Sequence, residues 1–432
     1  MKFKQGKLNL SNNGLQPGTQ DEVDILFTGD LCMWMKVEGL ILAGKTDEIL
    51  SSAYPVLHNK DISIVNLECP LSKGDNIIKK LGPTIGVDPG CLDFVLKAGF
   101  DVASIANNHI ADYGSEAVME TIGILKNNNI IPVGAGKNNV DAAKTVFIKK
   151  NNINIALISV SAFVLGLADE YKAGPSFLEP LSTIRQIKEA AKQADITVVM
   201  VHAGYEFYPL PSPRTALIYR SFIEAGASAV IGHHPHCPQG VEIYNGCPII
   251  YSLGNFLFDI EYPDKNHAEH SWWKDLMDCM WWSSYMVRIL FNRNGALKLE
   301  IIPYTFGPDA SAIKILEDNE KEDFIKYLEC ISNIITDEKE LRMYWYAWCR
   351  THGPAAMDRF KGVVGIKEWQ DVEITKEILV GIALNGEGFT ELAGTFMKMV
   401  CDRKINIADS YIPKMKMLQK GLLNDIIKIY GL

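Results

Sequence analysis

The stretch 229-AVIGHHPHCPQGVEIYNGCPIIYSLGNF-256 sets three of the chain's nine histidines, His233, His234 and His236, within four positions. Apolar runs with the length and β-branched character of buried strands flank them, "AVIG" before and "CPIIYS" after. A strand that ends in proton-carrying residues delivers chemistry to its C-terminal edge, as happens in layered α/β folds.

The same pattern recurs toward the N-terminus. "VDILFTGD" (23–30), "DISIVNLE" (61–68), "DVASIANNH" (101–109), "NINIALISVS" (152–161) and "ITVVMVHAG" (196–204) read as strands, most of them ending in polar side chains. "PIIYSLGNF" (248–256) reads as one more. Helix-like stretches alternate with them, among them "GCLDFVLKAG", "GSEAVMETIGILKNNN", "LSTIRQIKEAAKQA" and "TALIYRSFIEAG", several closed by Gly or Asn. "YMVRILFNRNGALKLEIIPYTF" (285–306) reads as a hairpin turning at "NRNG". The alternation predicts an α/β sheet fold over residues 23–308, preceded by a polar segment, 1–22. Beyond residue 309 apolar spacing at i, i+3, i+4 predicts a C-terminal helical region to 432. Its last stripe is Met415, Leu418, Leu422, Ile426 and Ile429.

Composition bounds the function. With 432 residues, 47% of them apolar and 22% charged, the chain can bury a large core. A net charge of −9 argues against a nucleic-acid binder that works by neutralising phosphates. It leaves anionic substrates open, because a bound divalent metal inverts the local field. Nine scattered cysteines with no C-x-x-C pair read as reduced thiols. The N-terminus lacks the apolar stretch of a signal peptide, and no apolar run reaches the roughly 20 residues of a membrane span, so a cytoplasmic chain is expected.

The strand ends gather Asp30, Glu68, Asn107, Asn108, His109, Asp112, His202, Glu206, His233, His234, His236 and Asn255. Alone, each has an ordinary structural explanation as a cap, a turn residue or a satisfied core histidine. Glu68 is the exception, since a carboxylate that follows an apolar strand into a core needs a cation or paired donors. Together the residues have the make-up of a two-metal site: carboxylates, an amide oxygen and imidazoles, with no thiolate pair. Such donors suit Mn, Fe or Zn, and one or two ions are expected. Two ions could hold a hydroxide and polarise the oxygen it attacks, while an imidazolium protonates the leaving oxygen.

The order "GD … NLE … ANNHIADYG … GAG … HAGYE … GHHPH … SLGNF" closely resembles the CapA-type capsule, or poly-γ-glutamate, biosynthesis proteins. These are a branch of the calcineurin-like metallophosphoesterase superfamily. The resemblance covers residues 23 to 308 and implies a four-layered α/β/β/α sandwich with a metal site at the strand ends. It implies metal ligation by Asp30, Glu68 (a candidate bridge), Asn108, His202, His234 and His236, with His109 as catalytic general acid. His233, Glu206, Asp112, Asn107 and Asn255 would orient ligands or meet substrate.

Two positions depart from the superfamily pattern. Asp30 is followed by Leu31 and Cys32 where the pattern is D-x-H, and Glu68 stands where an Asp is usual. The function implied is phosphoester hydrolysis by a metal-bound hydroxide within anionic-polymer synthesis. Its partners would be an anionic polymer or phosphorylated small molecule, synthase-complex proteins, or a second copy of the chain. Two alternatives stay open: a non-catalytic polymer-binding or assembly component, and γ-glutamyl amide chemistry at the same centre. The tryptophans of 265–282 (Trp272, Trp273, Trp281, Trp282) read as a lid or interface patch beside the site, with His267 and His270 in packing or solvated roles.

Overall fold

Side chains along the strand Glu22–Cys32 alternate between two apolar layers, as a period of two requires. Val23, Ile25 and Phe27 enter one buried cluster. Leu26 and Leu31 enter another. Ile62–Leu67 divides in the same way, with Ile62 and Ile64 on one side and Val65 and Leu67 on the other. Both strands are therefore apolar on two faces, which marks the middle of a sheet covered on both sides.

The computed structural model describes residues 1–10, 21–78, 80, 83–162, 165–260, 280–307, 310–364 and 386–421. Two large sheets carry the fold. The first has nine strands, and its main path runs Lys7–Asn9, Gly295–Thr305, Ser283–Asn292, Glu22–Cys32, Ile62–Leu67, Val102–Ser104, Ile131–Val133. The pairings from Glu22–Cys32 to Ile131–Val133 are parallel, whereas the hairpin 283–305 joins antiparallel. The second has six strands in the order Val241–Tyr244, Cys247–Ile250, Ala229–His233, Ile196–His202, Ile153–Ser161, Val146–Lys150, with parallel pairing among its four middle strands.

The inner faces of the two sheets share one core, in which Ile25 and Ile64 lie in the same cluster as Leu157 and Val198. Helices Lys36–Leu42, Leu92–Ala98 and Gly114–Asn127 cover the outside of the first sheet through Val37, Phe94, Val118 and Leu125. Pro180–Ala191 and Pro213–Glu224 cover the second through Ile187, Ala190, Ala216 and Phe222. The result is the four-layered α/β/β/α sandwich. Glycine closes the helix Leu92–Ala98 as expected, since Gly99 takes the left-handed conformation at φ 72°.

One expected strand is two. "PIIYSLGNF" splits into Cys247–Ile250, in the second sheet, and Asn255–Phe258, which pairs in parallel with Glu22–Cys32 in the first. Gly254, at φ 76°, makes the crossing. The crossing segment runs so close to the first sheet that a Cβ on Gly29 would sit 1.9 Å from the Gly254 carbonyl oxygen.

Beyond residue 310, helices span Asp318–Thr336, Glu338–Val364, Gly386–Cys401 and Ile412–Lys420. The first closes an edge of the second sheet. Ser332 Oγ accepts the Val241 N–H at 2.9 Å, and Phe324, Leu328 and Ile331 join the core between the sheets. Trp348, fully buried, packs on Tyr208 (ring centroids 4.9 Å apart) and on His352 (3.7 Å). Met415 and Leu418 of the last apolar stripe are buried, whereas Leu422, Ile426 and Ile429 lie outside the described residues. So do residues 375–385, His267, His270, Trp272 and Trp273. No helix among the described residues is long and apolar enough to cross a membrane.

Trp348→Ala is expected to lower unfolding free energy by about 3–5 kcal/mol in urea titrations, because a fully buried indole leaves a large cavity. A second expectation concerns pH. Burial raises the Asp24 carboxyl from 3.8 to about 6, against the pull of Arg288, whose Nε lies 3.5 Å away. Between these two values the folded chain holds a proton that the unfolded chain has lost, so stability falls as pH rises through the window. Asp24→Asn should therefore raise the urea midpoint at pH 8, with the gain gone near about pH 4.

Candidate metal centre

The strand ends of both sheets converge on one point. From the first sheet come Asp30 and, one residue past Ile62–Leu67, Glu68; both are fully buried. From the second, His202 and His233 end neighbouring strands directly opposite each other, followed by the turn His234–Pro235–His236. That turn is strained: His234 and His236 both have positive φ, 96° and 56°. Such backbone costs a non-glycine residue about 1–3 kcal/mol and persists only where surrounding contacts over-determine it. Those contacts are present. The His234 N–H donates to Asp30 Oδ2 (3.0 Å), and His236 Nδ1 lies 2.9 Å from Asn255 Oδ1.

Acceptor atoms crowd together at the centre. His202 Nε2 lies 2.8 Å from Asn108 Oδ1, 3.1 Å from His234 Nδ1 and 3.4 Å from Glu68 Oε1. His236 Nε2 lies 3.7 Å from the same Glu68 oxygen, and its Nδ1 3.5 Å from Asp30 Oδ2. Among the described residues, three groups of side chains bring their ligand atoms within 4.8 Å of one another: Asp30, Glu68 and His236; Glu68, His202 and His234; Glu206, His234 and His236. Glu68 belongs to the first two.

The fit to a cation rests on Glu68. Both of its carboxylate oxygens are buried, and neither accepts a hydrogen bond. Burial, reinforced by the charges of Asp30 and Glu206, drives its pKa well above the ordinary carboxylate value. Burial likewise raises Asp30, to about 7, although His234 and Asn66 donate to it. The same burial pushes His202 and His236 well below the usual imidazole value. Neutral imidazoles and repelling carboxylates at such spacing are what a divalent ion neutralises and gathers.

The remaining expected residues surround this cluster. Asn107 ties its loop down: Nδ2 donates to the Leu67 carbonyl, and Oδ1 accepts from the N–H groups of His109 and Ile110. Asp112 approaches His109 Nδ1 at 2.7 Å and accepts the Ile85 N–H. Asn255 also donates to the carbonyls of His236 and Trp281. His233 points between the sheets, with Nε2 3.2 Å from the Thr28 carbonyl, and burial lowers its pKa to about 4. The Trp281 ring lies tilted beside that of His236, their centroids 5.0 Å apart.

Two participants escaped the sequence. Asn66, inside the "NLE" strand, donates to Asp30 Oδ1 (2.8 Å) and lies 3.2 Å from His202 Nδ1. An amide within an apolar run was a readable signal. Lys80 gave none, because it comes from an irregular segment. Its Nζ lies 2.5 Å from Asp112 Oδ1 and 3.0 Å from His109 Nδ1, and it donates to the Asn108 carbonyl. Cys32, at the position of the missing histidine, is a free thiol buried in the apolar layer beneath the helices and joins none of these ligand groups.

Residues 24–260 match the family described as bacterial capsule synthesis protein PGA_cap. The chain belongs to that family. Among relatives of this PGA_cap chain, it is 30% identical over 292 residues to the "Capsule biosynthesis protein CapA" of Bacillus anthracis, covering 66% of this chain and 67% of that one. It is 31% identical over 296 residues to the "PGA biosynthesis protein CapA" of Bacillus subtilis (strain 168), covering 66% and 72%. A "Probable polyglutamine synthesis accessory protein" of Mycobacterium tuberculosis (strain CDC 1551 / Oshkosh) is 25% identical over 224 residues, covering 48% and 59%. The PGA_cap match ends at residue 260, so the hairpin 283–305 and the helices after it lie beyond the matched span.

A divalent cation at about one hundred times its Kd is expected to stabilise the chain by about 2.7 kcal/mol in thermal unfolding. Glu68→Gln should lose that gain and yet be at least as stable as the parent without metal, since it removes a buried, unpaired carboxylate. A metal-free variant much weaker than the parent would contradict this.

Proposed function

We propose that this chain is a metal-dependent, hydrolase-like protein of capsule or poly-γ-glutamate synthesis, acting on a phosphoester. The observation that carries the reading is the Glu68 carboxylate, buried without a hydrogen bond among Asp30, His202 and His236. The polymer context is drawn from what the Bacillus relatives are called.

Asp30, Glu68, Asn108, His202, His234 and His236 would hold one or two ions of Mn, Fe or Zn. When bound, such ions supply Lewis acidity and lower the pKa of water to near neutrality. The chain's own residues handle orientation and protons. Asn66, Asn107 and Asn255 fix the carboxylate, the loop and the imidazole that they touch. Asp112, itself paired with Lys80, engages His109 Nδ1, leaving Nε2 as the nitrogen for proton traffic. Burial and the Lys80 charge lower the His109 pKa, so the resting imidazole is neutral. An anionic phosphoryl group arriving beside it would raise that pKa and equip it to protonate a leaving oxygen.

A second reading has its own observation. Cys32 stands where a histidine donor is usual and joins none of the ligand groups, and the mycobacterial relative is called an accessory protein. Under it, the chain binds an anionic polymer within a synthase complex without cutting it.

The metal-loaded chain and its His109→Asn variant would be compared on a phosphoester panel and on γ-glutamyl peptides. Hydrolysis of a phosphoester is expected, falling about 10²–10⁴-fold in the variant with metal content unchanged. Stoichiometric metal with no turnover, and polymer binding that survives the substitution, would leave the second reading standing. Cleavage of γ-glutamyl peptides alone would point to amide chemistry. Absence of bound metal would remove the catalytic proposal altogether.

A further inference from the structure

The donor set around Asp30, Glu68 and His236 is short by the residue at position 32. The group supplies three side chains, one fewer than where a D-x-H histidine is also present. Cys32 does not supply the fourth from where it stands, since its free thiol is buried in the apolar layer and joins none of the ligand groups. Another carboxylate lies beside the histidine turn. A carboxylate oxygen of Glu206 lies within 4.8 Å of ligand nitrogens of both His234 and His236.

The backbone that carries Glu206 is built to aim it. The loop leaves His202 through Gly204, at φ 128°, where the absent Cβ would sit 3.2 Å from Pro235 Cγ. It returns through Phe207, a non-glycine residue held at φ 65°, whose N–H donates to the Pro235 carbonyl at 2.9 Å. Pro235 is the residue between the two histidines. The Glu206 loop and the His234–His236 turn are thus stitched at their midpoints, and both store strain at the stitch. The charge of Glu206 also acts on Glu68 and His234, consistent with a side chain facing the cluster.

We infer that Glu206 is a metal-ligating carboxylate for the ion held against His236, replacing the donor that position 32 withholds. The inference rests on the metal-centre reading above and extends it by one ligand. Exchanging an imidazole for a carboxylate makes the site harder, which improves its standing with Mn relative to Zn.

The test is calorimetric titration of the chelator-treated full chain with MnCl₂ and separately with ZnCl₂, for the parent, Glu206→Gln and Glu206→His. Visible spectra of the Co(II)-loaded proteins accompany it, since d–d bands report ligand type and number. Glu206→Gln is expected to weaken Mn binding at least about 100-fold, beyond the usual loss of an outer partner, and to change the Co(II) bands. Glu206→His should restore Zn binding more than Mn binding and so raise the Zn-to-Mn affinity ratio above the parent's. Parent-like titrations and an unchanged Co(II) spectrum in Glu206→Gln would overturn the ligand assignment while leaving the centre itself intact. A parent that binds neither ion would overturn both, and the parent titration alone reports that.

Discussion

A carboxylate deep in a protein with nothing to donate to it is among the most expensive arrangements a fold can hold. Glu68 is such a group, with both oxygens buried and unpaired. Converting it to its neutral acid would relieve the charge, and burial pushes its pKa in that direction. The geometry around it is nonetheless wrong for a lone carboxylic acid. Imidazole nitrogens of His202 and His236 face it at 3.4 and 3.7 Å, too far for good hydrogen bonds and close enough to share an ion. The surrounding architecture serves to keep these acceptors from moving apart.

That service is visible in the backbone. Three non-glycine residues around the centre, Phe207, His234 and His236, sit at positive φ, and one proline joins two of the turns involved. Each strained residue is held by contacts to a rigid strand end or to the other turn. The proton-handling side is organised separately. Asp112 binds backbone from residues 78 and 85 and faces His109 and Lys80, so a single aspartate couples an irregular segment to the histidine beside the cluster.

Much of this could be read in the sequence because strand chemistry is local. Alternating or continuous apolar runs ending in Asp, Glu, Asn or His located the strands and gathered the donors at their ends. "PIIYSLGNF" misled, since nothing local distinguishes one strand from two strands in different sheets separated by a four-residue crossing. Lys80 was invisible because a lysine in an irregular polar stretch looks like any solvated lysine; only tertiary packing brings it to His109. Glu206 was visible as a polar residue after a strand. Its relation to Pro235 was not, because that depends on two turns meeting in space. Asn66 lay in plain view, and its reach to both Asp30 and His202 follows from strand register rather than from residue order.

The crossing at Tyr251–Gly254 divides the donors by origin. Asp30, Glu68 and Asn108 lie on or just after strands of the first sheet, while His202, Glu206, His234 and His236 lie on or just after strands of the second. Neither sheet alone owns a complete coordination sphere. An ion bound here would act as a rivet between two layers otherwise joined mainly by apolar contact, which resists separation but tolerates sliding. Asn255, first residue after the crossing, pairs with the Asp30 strand and also touches His236, so a slip of one sheet over the other would pull the two apart. The centre is thereby a gauge of sheet alignment: it exists only when both halves of the sandwich have docked in register.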